Sequence, residues 1–121
     1  MKLALVGGAV FMALAVLFGA FGAHSLKEMV STADLLTFEK AVRYHFWHAL
    51  GLLVIGAIGF HISVDALRFP VYLIMFGIIF FSGSLYLLVI TDTRWLGAVT
   101  PFGGTAFIIA WILLAYQLYR A

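Results

Sequence analysis

Leu3 to Ala23 is a run of 21 residues without a charge, and it constrains the fold more than any other stretch. About 20 apolar residues of helix cross a bilayer's hydrocarbon core, whereas a secretory signal has an apolar core of only about 7–15. The run therefore predicts a membrane helix rather than a cleaved leader. Three further apolar stretches follow, and the four spans are expected at roughly 3–23, 44–62, 71–90 and 102–119. The predicted fold is all-α, an integral membrane four-helix bundle forming a single domain over residues 1–121.

Composition agrees. The chain is 65% hydrophobic and 10% charged, against about 25% charged in soluble domains. A soluble globule this small leaves too much surface exposed to hide such a chain. Lipid is thus the expected solvent, and a multi-pass protein of the plasma (inner) membrane the expected setting. The 7 Lys and Arg are scattered singly, which argues against nucleic acid as a partner. There is no cysteine, which removes thiolate metal sites and cysteine nucleophiles.

Small residues recur in the first span, and Ala15, Gly19 and Ala23 form a small-xxx-small series. Such series let helix backbones approach closely in lipid. After it, Ser31-Thr32-Ala33-Asp34 has capping-box spacing. Glu39 and Arg43 are placed for an i,i+4 pair. The mixture of Leu35, Leu36, Phe38 and Val42 with Asp34, Glu39, Lys40 and Arg43 predicts an amphipathic interfacial helix between spans one and two. Tyr44, Phe46 and Trp47 are expected at headgroup depth. Pro70 is expected to start the third helix, where its missing N–H costs nothing.

Four spans bring the end of the first, the start of the second, the end of the third and the start of the fourth to one membrane face. That predicts a polar mouth of His24, Arg43, Tyr44, His45, His48, Asp92 and Thr100, with Ser82, Ser84 and Tyr86 below it. Ionisable groups near hydrocarbon usually face the bundle interior or water. His45 and His48 share a helix face, so with His24 they are weak candidates for a metal. No metal-protease motif surrounds them, no P-loop accompanies Gly7-Gly8 or Gly103-Gly104, and the serines lack a nucleophile elbow. No cofactor is expected from these residues.

Four segments together resemble one family: Gly19-Ala20-Phe21-Gly22-Ala23-His24, Tyr44-His45 with His48-Ala49-Leu50, Phe81-Ser82-Gly83-Ser84-Leu85-Tyr86 and Thr100-Pro101-Phe102-Gly103-Gly104. The family is the YgdD/YwdK-like small inner-membrane proteins, domain of unknown function 423, with the transmembrane protein 256 group as an apparent relative. The resemblance covers nearly the whole chain. It implies a four-helix plasma-membrane protein and no particular activity, with motif positions at His24, Ser82, Gly83, Ser84, Tyr86, Pro101, Gly103 and Gly104. Three functional classes stay open. The preferred one is a non-enzymatic accessory, scaffold or lipid-interacting protein, with membrane lipid, a homo-oligomer or a membrane protein as partner. The alternatives are a small-ligand binding or transport module using the polar mouth, and a metal- or haem-dependent membrane enzyme.

Overall fold

The computed structural model describes all residues, Met1–Ala121. The helices are α1 (Lys2–His24), α2 (Thr32–Ile58), α3 (Val64–Gly77), α4 (Ser84–Thr91) and α5 (Thr100–Arg120). A π-helical turn, Ile78–Gly83, joins α3 to α4 without a break, and short 3-10 turns cover Leu26–Glu28 and Arg94–Ala98. The result is four rods, each 27 or 28 residues long and apolar enough to cross a membrane. At 1.5 Å per residue each is about 40 Å long, more than the roughly 30 Å hydrocarbon core. The surplus projects into the headgroups or is absorbed by tilt.

α1 lies against α2 along a seam spaced three and four residues apart. Ala4, Gly8, Ala15 and Gly22 are buried there, with Phe11 and Phe18 half-buried between them. This is a heptad seam, the pattern of left-handed helix pairs crossing at about 20°. The Ala15–Gly19–Ala23 series is not the seam, since Ala23 is exposed. A strict four-residue repeat advances about 40° per step around a 3.6-residue helix and leaves the interface within two steps. A Cβ at Gly8 would stand 3.1 Å from the Ala49 carbonyl, so glycine sets that approach.

α2 runs unbroken from Thr32, so the expected interfacial helix is the first part of this rod rather than a separate element on the membrane surface. Phe38, Ala41, His45, His48, Leu52 and Ile55 form one buried stripe with three- and four-residue spacing. The charges of Glu39, Lys40 and Arg43 lie on the exposed side. Ser31 caps the helix by accepting the Asp34 N–H at 3.1 Å. The second half of the capping box is missing because the Asp34 carboxylate bonds Arg94 instead. Glu39 and Arg43 form no ion pair; the three present join Arg68 to Asp65 and Arg94 to Asp34 and Asp92. Pro70 sits inside α3, not at its start. Pro101 does occupy the first turn of α5.

Two buried apolar clusters fill the bundle. One gathers Leu52, Ile55, Val71, Ile74, Phe107 and Leu114; the other gathers Leu26, Phe38, Leu85, Tyr86 and Val89. The buried polar side chains His45, His48, Ser82 and Ser84 come from the stretches of α2 and the π–α4 junction that lie between these clusters in sequence. Gly103 of α5 meets the backbone of Phe80 and Phe81 in the π turn, and Gly77 meets the Phe107 ring.

Candidate functional site

Helix continuity sets the depth of the histidines. His45 is the midpoint of α2 (Thr32–Ile58), about 20 Å from either end. Its ring meets Phe11, near the middle of α1, edge-on at 6.0 Å. His48 reaches Trp111, near the middle of α5. Both imidazoles thus sit in the bundle interior, not at a rim, because the polar residues before them already belong to the same rod.

His48 is completely bonded. Its Nδ1 is 2.7 Å from the Tyr44 carbonyl oxygen, and its Nε2 accepts the indole N–H of Trp111 at 3.0 Å. A carbonyl can only accept and an indole can only donate. The ring is therefore neutral, with its proton on Nδ1. It stacks on Phe107 with centroids 3.6 Å apart.

His45 is not completely bonded. Its Nδ1 lies 2.8 Å from the Tyr86 hydroxyl, and its Nε2 is buried without a partner. No other buried side-chain polar atom lacks one. Native proteins leave few such atoms, and each calls for an explanation. Tyr86 is held in place by Phe18, stacked at 4.4 Å, and by Phe38 at 5.0 Å.

The serines join helices. Ser82 donates to the Ala41 carbonyl of α2 at 2.7 Å. Ser84 donates to the Phe81 carbonyl at 2.9 Å and lies 2.6 Å from the Thr100 hydroxyl. Ser82 lies in the π turn and Ser84 follows it as the first residue of α4, in keeping with the frequent association of π-bulges with functional positions.

The remaining expected residues separate from this layer. His24 and Arg43 are exposed. Tyr44 is half-buried against Phe81, centroids 4.7 Å apart. Asp92 belongs to an outer clamp: Arg94 holds both Asp34 oxygens at 2.8 Å and takes Asp92 through its Nε at 2.7 Å. Arg94 keeps the Asp34 carboxyl below the usual carboxylate range, and the two acids raise the guanidinium in turn. Asp92 sits in the left-handed region, φ 54°, which Asp tolerates at a helix C-terminus. No three His, Asp or Glu side chains gather as metal ligands, so His24, His45 and His48 do not form a set.

Beside His45 lies a groove of about 470 Å³ between α1 and the π–α4 rod. Phe11, Leu14 and Phe18 form one wall, and Ile79, Phe80, Leu87 and Ile90 form much of the other. His45, Ser84 and Tyr86 supply its polar atoms, and Leu96 and Val99 close the outer end. Leu14, Ile79, Leu87 and Ile90 are also outwardly exposed, so the groove opens sideways onto lipid. Sequence reasoning missed Phe11, Trp111 and the groove itself. Trp111 lies 63 residues from His48, and no local pattern links them.

The profile of the family described as "Protein of unknown function (DUF423)" matches residues 18–104. A UPF0382 membrane protein of Staphylococcus epidermidis is 47% identical over 114 residues, 94% of this chain and 93% of the relative. The UPF0382 membrane protein YwdK of Bacillus subtilis is 43% identical over 115 residues, 94% of each. A Staphylococcus aureus relative, UPF0382 membrane protein SAB0533, is 46% identical over 120 residues, 99% of this chain and 98% of its own. No solved structure matches. With four apolar rods and relatives of this kind, the chain is a multi-pass bacterial membrane protein, and it belongs to the DUF423 family.

Proposed function

We propose that the protein is a non-enzymatic membrane protein of one four-span domain that holds a lipid-soluble ligand in the groove between α1 and α4. The observation that carries this reading is the groove beside His45: apolar walls, a side opening onto hydrocarbon and one unpartnered buried nitrogen. Its volume of about 470 Å³ falls within the roughly 300–1,000 Å³ of small-molecule sites, which are also mostly apolar with a few polar groups. Chemistry on the ligand finds little support. Both buried serines donate to backbone carbonyls, so neither is activated by a base. Both nitrogens of His48 are occupied.

Photolabelling in lipid nanodiscs tests this, with an uncharged diazirine-bearing long-chain alcohol as probe. Labels should concentrate on Leu14, Ile79 and Leu87. They should fall sharply in Gly83→Leu, because a side chain at Gly83 meets nothing within 4 Å and projects beside the groove. Labels spread evenly over the outer faces of all four rods, and unchanged in Gly83→Leu, contradict the reading.

A further inference from the structure

We propose that the ligand of this groove is an uncharged carbonyl compound of the membrane-quinone class, whose ring oxygen accepts a hydrogen bond from His45 Nε2. The inference rests on the groove reading above and adds the chemistry of the occupant.

The direction of the bond follows from proton counting. His45 Nδ1 and the Tyr86 hydroxyl share one hydrogen bond. If Nδ1 were the donor, Nε2 would be a bare acceptor and the Tyr86 proton would need another home. If Tyr86 donates, the only open valence is an Nε2–H. Because the second arrangement leaves fewer buried groups unsatisfied, it is favoured. The ligand must therefore bring an acceptor. The Phe11 backbone is the alternative acceptor. Nε2 makes no well-formed hydrogen bond to it.

Depth narrows the class. Phe11, which touches His45, is nine residues from Lys2, or about 13 Å along α1. Phospholipid ester carbonyls and phosphates lie outside the roughly 30 Å hydrocarbon core. The acceptor must come from a molecule that carries it into the interior. Charge narrows it again. The groove is lined by no Lys or Arg, and an unpaired anion at that depth is costly, which disfavours a carboxylate or phosphate. A neutral ring carbonyl on a long apolar tail satisfies all three conditions. The walls fit it, since Phe11, Phe18, Phe80 and Tyr86 offer aromatic surface. Because Nε2 is buried and the Phe11 ring stands edge-on to the imidazole at 6.0 Å, binding requires that ring to shift.

The test uses the full-length protein in nanodiscs and two probes, a decyl-substituted 1,4-benzoquinone and a decyl-substituted 1,4-dimethylbenzene of similar shape. The quinone should bind at least about tenfold more tightly, the scale of one buried hydrogen bond. It should also shift the His45 Nε2 proton and nitrogen resonances. His45→Phe should remove the preference, so that the two probes bind alike. His45→Gln, which keeps a donor, should restore part of it, and Gly83→Leu should weaken both probes. Equal binding of the two probes, with both lost in Gly83→Leu, overturns the carbonyl assignment and leaves the groove reading standing. Binding of neither overturns both. If His45→Phe fails to fold, the wild-type resonances decide: quinone binding that leaves His45 Nε2 unmoved refutes the proposal.

Discussion

His48 accepts an interhelical bond from the Trp111 indole and Ser82 donates one to the Ala41 carbonyl, and their removal should cost different amounts. Trp111→Phe strips the donor from His48 Nε2. It also vacates the space beside Gly51, where a Cβ would stand 2.9 Å from the indole. Loss of a buried bond and of packed volume together should cost about 2 kcal/mol. Ser82→Ala removes a donor from the Ala41 carbonyl, which keeps its place in the α2 ladder. The cost there should be about 0.6 kcal/mol, the average for hydrogen bonds between membrane helices. Reversible unfolding in mixed micelles measures both, and equal losses would refute this ranking. The sequence reading put His45 and His48 at a polar mouth, with Ser82, Ser84 and Tyr86 below it; in the structure all five are buried. That reading could not pair them. Their interhelical partners lie 16, 41 or 63 residues away, and pairing depends on rod depth.

Within elements, glycines and caps separate sharply. Gly103→Ala drives a methyl into the Phe80–Phe81 backbone of the π turn, which cannot rotate away, and should destabilise by about 1–3 kcal/mol. Gly104→Ala meets only the Phe81 ring at 3.6 Å, an ordinary contact, and should stay within about 0.5 kcal/mol of wild type. Similar melting temperatures for the two would argue against the close α5 crossing. The Arg94 clamp belongs to this scale too. Asp34 titrates below the ordinary carboxylate range, so its contribution is present above the unfolded value of about 4 and is lost as pH falls through the folded one. The Arg94–Ala98 turn should keep its hydrogen-exchange protection from pH 7 to 5 and lose it below about pH 4, and Asp34→Asn should lower protection already at pH 7. The continuity of α2 was legible in the alternating three- and four-residue spacing from Phe38 to Ile55. The charges between them suggested a surface helix, because composition reports the average of both faces while spacing reports the buried one.

For the whole molecule, four rods and a lipid solvent could be read from run lengths and composition alone. The site could not be read that way. A 27-residue α2 is longer than the membrane requires, so counting apolar residues placed its start near Tyr44 and put the histidines at the edge. In the folded bundle the rod begins at Thr32, and the same residues fall halfway along it. The groove depends on that shift, since an orphaned nitrogen in the headgroup zone would simply be hydrated.

The depth of this layer can be measured directly, because a chain without cysteine accepts a single spin label cleanly. Phe46 points outward beside His45, and Leu36 is exposed near the start of the same rod. Labels at Phe46→Cys and Leu36→Cys in liposomes should report opposite environments. Position 46 should show high oxygen and low nickel-chelate accessibility, as expected near the bilayer centre, and position 36 the reverse. Headgroup-like accessibility at position 46, matching position 36, would contradict a histidine layer buried in the hydrocarbon.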